Sequence, residues 1–261
     1  MIKVRFANIM AAAAVLGLSG CGGGPAAGGS GGSTNPPPPT VVVNGAYTGS
    51  YTATGQTATS VMGALTATSP GYFVDANGFV FVVPPVPSSG TLSGTVTGYA
   101  PPGETFSSGS AVQTFSISGS ATGANGSAVS GTLTGGGITA NVTLASSPIT
   151  SPTLAALAGS YTGFYTGSTQ ATLSVTLKSD GTFTGFDSFG CSLTGTVATA
   201  TGGMFTLTAT SSGSGCAGTV TGLSFASSSD LGQVFSGAAG SYLYVGASNA
   251  TSAFAAELKH Q

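Results

Sequence analysis

The sequence is poor in charge and in the side chains that most catalytic and nucleic-acid-binding sites need. Of its 261 residues, four are Lys or Arg, six are Asp or Glu, one is His and none is Trp. A nucleic-acid-binding surface requires clustered basic residues, and a Ser-His-Asp triad requires a firmly held imidazole. The single histidine, His260, is one residue from the end of the chain, where we expect fraying. We therefore expect neither nucleic-acid binding nor catalysis.

Metal and cofactor motifs are equally scarce. A structural zinc site usually has four Cys or His ligands, and the chain has only three Cys and one His, far apart in sequence. The stretch "GSGCAG" at 213–218 matches G-x-G-x-x-G, but "TVTGLSF" after it is typical of a strand, whereas a dinucleotide site needs a helix there. Asp180 and Asp187 resemble a glycosidase pair, but Asp180 fits a turn and Asp187 lies in the loop-like "GFDSFG". No catalytic residue, metal or cofactor is predicted.

Long helices are also missing from the pattern. After residue 21, no stretch carries a helical apolar stripe over three turns, and the best candidate, "PTLAALA" at 152–158, supports one or two turns. Abundant Thr, Val, Tyr and Phe favour strands, and Gly, Asn and Asp favour the turns between them. The sequence therefore predicts an all-β fold.

The N-terminus has the features of an export signal that ends at a cysteine. Lys3 and Arg5 precede an apolar, alanine-rich run at 9–18. Ten residues are too few to span a bilayer, which needs about 20, but suit a secretory signal. The stretch Leu18-Ser19-Gly20-Cys21 resembles the lipobox of bacterial lipoproteins. The resemblance implies a diacylglyceryl group on the Cys21 sulfur, cleavage before Cys21 and acylation of the new amine.

This lipobox resemblance determines where we expect the protein to be. Two or more acyl chains hold a protein firmly to a membrane, so membrane lipid is the partner of acylated Cys21. By the same resemblance, Gly22 favours the outer membrane, with the body facing the periplasm or the cell surface. Residues 22–40, "GGGPAAGGSGGSTNPPPPT", predict a disordered tether with a root-mean-square length of about 25 Å. We divide the chain into a signal at 1–20, a lipidated linker at 21–40, and β-modules at 41–150 and 151–261.

Two cysteines remain once Cys21 carries lipid. Cys191 and Cys216 form an even pair in an exported chain, and this favours a disulfide, with free buried thiols as the alternative. A disulfide would place the two residues on neighbouring strands with their Cα atoms about 5.5–6 Å apart.

Repeated segments in the body indicate a duplication. "GAYTGSY" at 45–51 recurs as "GSYTGFY" at 159–165, and this is the most distinctive match. Three shorter matches follow in the same order: "TLSGTV" with "SLTGTV", "TFSISG" with "MFTLTA", and "SGTLTG" with "AGTVTG". Two copies whose loops differ in length would give this pattern. The fold prediction is therefore two related antiparallel modules, each a β-sandwich or a small barrel.

Three hairpins are indicated by turn residues between alternating strands. In "ATLSVTLKSDGTFTGF", Leu173, Val175 and Leu177 share one face, and Asp180-Gly181 forms the turn. Asn77-Gly78 forms the turn of "GYFVDANGFVFVV", and Asn125-Gly126 forms that of "ATGANGSAVSG". These hairpins give both modules the same local construction.

The hairpin at 72–87 is apolar on both strand faces. A strand that is buried on one side should alternate between apolar and polar residues. One interpretation is an exposed apolar patch that binds a partner or ligand. The alternative is that the second face packs against the other module or a loop. The candidate binding residues are Tyr72, Phe73, Phe79, Val80, Phe81 and Val82.

The body also resembles β-rich surface lipoproteins of the transferrin-binding type. This resemblance depends on "GSYTG" and the turn "DGTF", and it assigns no binding residues. It favours a lipid-anchored bacterial envelope lipoprotein with a non-catalytic binding or structural role, and an unknown protein or small-molecule ligand. A surface adhesin or matrix-like β-scaffold, and a membrane-spanning barrel, are the alternatives. A cavity lined by aromatic residues would favour binding, and a filled core would favour structure.

Overall fold

The computed structural model describes residues 41–147, 152–227 and 242–261. The predicted signal, the lipobox and the tether lie outside the described residues. Strands make up most of the described chain, and they form two closed antiparallel barrels. The prediction of an all-β fold with two related antiparallel modules is confirmed, and barrels are the architecture adopted.

Candidate transmembrane helices are absent from the described part of the chain: no helix there has both the length and the apolar character needed to cross a bilayer.

The first barrel contains eight strands in sequence order, and β8 pairs with β1 to close it. The strands are β1 (Gly45–Ala53), β2 (Thr59–Leu65), β3 (Gly71–Asp75), β4 (Val80–Val83), β5 (Thr91–Tyr99), β6 (Val112–Thr122), β7 (Ala128–Gly135) and β8 (Ile138–Ser147). A short 3₁₀ turn, Ala124–Gly126, joins β6 to β7 and coincides with the predicted Asn125-Gly126 turn.

The second barrel repeats this arrangement, and β16 pairs with β9 to close it. Its strands are β9 (Gly159–Gly167), β10 (Ala171–Leu177), β11 (Thr182–Asp187), β12 (Ser192–Thr199), β13 (Met204–Ser212), β14 (Gly218–Ser227), β15 (Tyr242–Ser248) and β16 (Ala253–His260). A second 3₁₀ turn, Thr201–Gly203, joins β12 to β13.

A single helical turn, α1 (Leu154–Leu157), closes one end of the second barrel. The Thr153 side chain accepts a hydrogen bond from the Ala156 N–H, which caps the turn. Leu157 is buried with the barrel's interior side chains, and its carbonyl accepts a 2.7 Å hydrogen bond from the Tyr161 hydroxyl. The predicted helix of one or two turns at 152–158 is confirmed.

In strands that do not contact the other barrel, alternation places apolar side chains inside the barrel and small hydroxyl side chains outside. In β13, Leu207 and Ala209 are buried in the interior, whereas Thr206, Thr208 and Thr210 are exposed. A membrane-spanning barrel has the reverse arrangement, with an apolar outer band. Threonine supplies the polar surface that this weakly charged chain cannot make from lysine and glutamate.

The two clearest predicted hairpins are confirmed. Asp180-Gly181 joins β10 to β11, and Asn77-Gly78 lies in the turn between β3 and β4. Gly181 and Gly78 have φ values of 84° and 86°, in the left-handed region that favours glycine. Because these turns fix the register, Leu173, Val175 and Leu177 share the interior face of β10, as predicted.

The duplication is real at the level of strand order, but only one sequence match joins equivalent strands. The two Tyr-Thr-Gly-x-Tyr segments lie in β1 and β9, the first strand of each barrel. The three shorter matches instead pair β5 with β12, β6 with β13 and β7 with β14. They are displaced by one strand, so the proposed equivalence of those segments is wrong. Alternating Thr, Gly and small apolar residues recur in any strand of this composition.

The two barrels pack against each other through an apolar interface. It is formed by outward-facing residues of β2, β3 and β4 against those of β14, β15 and β16, including Met62, Tyr72, Val74, Val80, Leu223, Phe225, Tyr242 and Tyr244. The Tyr72 hydroxyl donates to the Thr221 carbonyl at 3.1 Å, and the Thr166 hydroxyl donates to the Gly78 carbonyl at 3.0 Å. A Cβ on Gly246 would lie 2.3 Å from the Tyr72 Cβ, so glycine permits this close packing.

Candidate functional site

The apolar hairpin at 72–87 is buried on both faces. Phe73 and Phe81 point into the first barrel, whereas Tyr72 and Val80 point into the interface with the second barrel, and Val82 packs at its edge. Phe79 is half-buried and packs against the first barrel's interior. The exposed binding patch is therefore not observed, and the alternative, packing of the second face against the other module, is what the burial matches. The strand fails to alternate because each of its faces belongs to a different apolar cluster.

Cys191 and Cys216 form a disulfide with a Cα–Cα distance of 5.9 Å, within the predicted range. The disulfide is confirmed, but its position differs from the prediction. Cys191 directly precedes β12, and Cys216 lies in the connection between β13 and β14. The bond therefore joins two loops at one end of the second barrel rather than two neighbouring strands.

The interior of the second barrel contains a cavity of about 500 Å³. Its wall is formed by aliphatic and aromatic side chains from nearly every strand, among them Leu173, Val175, Phe183, Leu193, Leu207 and Val245. Small side chains, Ala209, Ala247 and Ala256, lie at wall positions where larger ones would fill the space. Small-molecule sites are typically concave, mostly apolar and about 300–1,000 Å³ in volume. This cavity is the strongest candidate site in the described chain.

The cavity extends to one end of the barrel, which we call the mouth and define by the loops at 168–170, 188–191, 213–217 and 249–252. Thr169, Phe189, Ser214, Cys216 and Ser252 line the cavity from these four loops. In an up-and-down barrel, alternate connections lie at the same end, so the four loops surround one opening. Helix α1 lies at the opposite end, where a Cβ on Gly181 of the β10–β11 turn would lie 3.2 Å from Leu154 Cδ1. The barrel is thus closed by α1 below and bordered by loops above.

The first barrel has the same strand order but a filled interior, with a remaining space of about 50 Å³. Its interior aromatic cluster is formed by Tyr51, Phe79, Phe81, Phe106 and Phe115, whose rings meet at centroid distances of 4.9 to 6.4 Å. Phe106 comes from the long β5–β6 connection, and a Cβ on Gly98 would lie 2.6 Å from its ring. The loop therefore folds inward and plugs the end that corresponds to the mouth.

One difference between the copies lies at the loop that follows the third strand of each barrel. The β3–β4 turn "DANGF" and the β11–β12 turn "DSFGC" have the same hydrogen bonds, so Phe79 and Cys191 are equivalent positions. Phe79 packs edge-on to Phe106 at 4.9 Å and closes the first barrel. At the equivalent position, Cys191 bonds to Cys216 in a short loop. An aromatic plug in one copy is replaced by a disulfide border in the other.

Each of these turns is held by a buried aspartate and a tyrosine of the repeated Tyr-Thr-Gly-x-Tyr segment. The Tyr51 hydroxyl donates to Oδ2 of Asp75 at 2.8 Å, and the Tyr165 hydroxyl donates to Oδ2 of Asp187 at 2.9 Å. Oδ1 of Asp75 accepts the Asn77 and Phe79 N–H groups. The turn that follows Asp187 is bonded in the same way, so both loops are fixed to their barrel walls.

The Oδ1 atom of Asp187 accepts N–H groups from Phe189 and Cys191 at 2.9 and 3.0 Å. Asp187 is the last residue of β11 and is 6% exposed, so its predicted loop-like setting is wrong. It also lines the cavity beside Tyr165. Because both of its oxygens accept hydrogen bonds from the barrel wall and the mouth loop, this carboxylate positions the loop.

Burial is the main cause of the pKa shifts of Asp75 and Tyr51 in the first barrel. Desolvation raises the pKa of the Asp75 carboxyl above its ordinary value, against the hydrogen bonds from Tyr51, Phe79 and Asn77, which lower it. Burial, followed by the charge of Asp75, raises the pKa of Tyr51 well above its usual range. In the second copy, burial is the main cause that raises the pKa of Tyr165. Both phenols therefore remain protonated donors at neutral pH.

The remaining residues considered as catalytic or cofactor-binding candidates lie in a turn, a strand and a loop. Asp180 is exposed in the β10–β11 turn and accepts hydrogen bonds from the Thr182 N–H and hydroxyl, which lower its pKa. His260 is not frayed, because it lies in β16 opposite Tyr161 and packs edge-on to that ring at 5.0 Å. The segment 213–218 is a loop that leads into β14, a strand, as expected. Among the described residues, no group of three or more His, Cys, Asp and Glu could hold a metal ion.

Comparison with models of protein families, with characterised proteins and with solved structures finds no match to this chain. The site is therefore defined by its own geometry: a hollow apolar barrel, closed by α1 at one end and bordered by a disulfide at the other.

Proposed function

We propose that the protein is a lipid-anchored envelope lipoprotein, attached to the outer membrane through acylated Cys21, whose second barrel binds a small apolar molecule. The observation that carries the binding role is the cavity of about 500 Å³ with its apolar wall. Eight-stranded barrels have an interior that side chains can just fill or that can hold one small ligand. This chain contains one barrel of each kind.

The contrast between the two copies supports a binding role for the second. Both barrels have eight strands and the same Tyr–Asp bonded turn, so the fold alone does not require a hollow interior. Genuinely empty space costs stability because its wall loses packing contacts. A cavity kept in one copy and plugged in the other is consistent with selection for a ligand. In this proposal, the first barrel is a rigid scaffold that the interface joins to the second.

Titration with a neutral fluorescent probe, N-phenyl-1-naphthylamine, tests the binding role. The protein used is the chain from residue 21 onward with Cys21→Ser, because it needs no detergent and carries no acyl chain that could compete. We expect saturable fluorescence enhancement with one site per chain. Ala209→Trp places an indole in the cavity and should weaken probe binding by at least about tenfold, which corresponds to about 1.4 kcal/mol.

The matched control is Thr210→Trp, which adds the same side chain to the exposed outer face of β13. This variant should bind the probe as well as the unsubstituted chain. Equal binding by both tryptophan variants would place the probe outside the cavity and contradict the proposed function.

The anchor is tested separately by fractionation of cells that express Cys21→Ser. We expect this variant to lose lipid modification and to accumulate as precursor or as protein released from the membrane, because no thioether can form on serine. Incorporation of labelled palmitate should be lost in parallel. If Cys21→Ser sedimented with outer membranes as the unsubstituted protein does, the anchor proposal would be wrong.

A further inference from the structure

The charges around the cavity restrict what it can hold. The side chains that line it in the described structure include one carboxylate, Asp187, and no Lys, Arg or His. Outside the N-terminal 20 residues, the chain has only two basic side chains of the Lys and Arg type, Lys178 and Lys259. Lys178 lies next to the turn at the α1 end, and Lys259 alternates with Leu258, which faces the interior. Neither lysine can act as a counterion inside the cavity.

The lining runs along the strands from Ser214 at the mouth to Leu177 and Leu258 near the α1 end, so the cavity suits an elongated occupant. We infer that the ligand of the second barrel is an elongated apolar molecule with an uncharged polar end, and that acids of the same shape are excluded. This inference rests on the proposed binding function. Moving an ionised carboxylate into an apolar site without a partner is strongly unfavourable, and a second carboxylate nearby makes it more so. Because the lining supplies a carboxylate and no cation, both effects oppose an anionic ligand.

The position of the uncharged polar end follows from the distribution of polar groups. The deep wall is aliphatic and aromatic, formed by residues such as Leu177, Phe183 and Leu243. Apart from the Tyr165 hydroxyl, which bonds to Asp187, hydroxyl side chains line the cavity only toward the mouth, from Thr169, Ser211, Ser214 and Ser252. A hydroxyl or carbonyl group on the ligand can bond to these side chains or to water there, whereas the apolar chain occupies the interior. Ser211 is the last interior-facing residue of β13, and Ser212, its neighbour, faces outward.

Displacement of N-phenyl-1-naphthylamine by two ligands of equal chain length tests the charge restriction at pH 8. Dodecan-1-ol should displace the probe at a concentration at least about tenfold lower than dodecanoate. Ser211→Lys adds a cation at the inner edge of the mouth and should strengthen displacement by dodecanoate about tenfold or more. Ser212→Lys adds the same charge to the outer face and should leave dodecanoate as weak as before.

Each alternative outcome has a definite meaning. Equal displacement by dodecanoate and dodecan-1-ol in the unsubstituted chain would overturn the charge inference and leave the binding proposal intact. So would equal strengthening by Ser211→Lys and Ser212→Lys, because the effect would then depend on net charge rather than on the cavity. Probe binding without displacement by dodecan-1-ol would overturn the elongated ligand. Absence of probe binding would instead contradict the proposed function itself.

Discussion

Val80→Asp is expected to lower the free energy of unfolding by several kcal/mol. Val80 is fully buried in the interface, where the outer face of β4 packs against β16 of the second barrel. An aspartate there would place a carboxylate in an apolar contact without a cationic partner, one of the most destabilising classes of substitution. The measurement is thermal or denaturant unfolding of the full chain, with two-state behaviour checked by two probes.

Phe81→Asp should destabilise the protein by a comparable amount through a different cluster. Phe81 points to the opposite face of the same strand and packs against Tyr51, Phe106 and Phe115 inside the first barrel. Comparable losses from both substitutions would show that the two faces of β4 are each structural. The matched control is Val112→Asp, because Val112 is 47% exposed on β6 and should change stability by less than about 1 kcal/mol.

If Val80→Asp had the same free energy of unfolding as the unsubstituted chain, that result would contradict the packed interface. It would mean that the barrels separate in solution and that the outer face of β4 is open to other partners. If Val80→Asp unfolded in two transitions and the unsubstituted chain in one, the interface would be what makes the two barrels unfold together. We expect Val80→Asp to lose stability whether it unfolds in one transition or in two.

Much of the fold could be predicted because the strands obey simple local rules. Alternation in β10 and the turns at Asn77-Gly78 and Asp180-Gly181 depend on neighbouring residues, and these features were predictable. The repeated Tyr-Thr-Gly-x-Tyr segment also identified the duplication correctly. Barrel closure was not predictable, since it depends on hydrogen bonds between the first and last strands, such as those of β1 with β8, more than 80 residues apart.

The cavity of the second barrel could not be predicted, because it depends on contacts between residues far apart in sequence. Whether a barrel is hollow is decided by the sum of side chains from eight strands and by a loop such as that carrying Phe106. The bond of Tyr165 to Asp187 spans 22 residues, whereas the glycines that flank Asp187 in the sequence favour a loop at that position. A usable signal was present: Asp-x-x-Gly follows Tyr-Thr-Gly-x-Tyr in both copies. That recurrence would have marked both aspartates as structural.

Removal of the disulfide should also lower the free energy of unfolding substantially. Cys191→Ser with Cys216→Ser opens a loop whose ends are 25 residues apart in sequence, and the chain-entropy estimate for such a loop is about 3.5 kcal/mol. For a chain of this size, the corresponding decrease in Tm is roughly 7–14 °C. Because the bond joins the 188–191 and 213–217 loops, the loss should begin at the mouth, and hydrogen exchange should rise in those two loops first.

The control for this double variant is the unsubstituted chain treated with reductant, which should reach the same Tm as the variant without reductant. Both samples also carry Cys21→Ser, so reductant should not change the Tm of the double variant, which then contains no cysteine. The filled first barrel has no disulfide, and its aromatic plug should keep its loops protected in both samples. A Tm unchanged by loss of the bond would mean that packing alone holds the mouth loops, and that the exchange of Phe79 for Cys191 between the copies serves only to remove an aromatic ring from the opening.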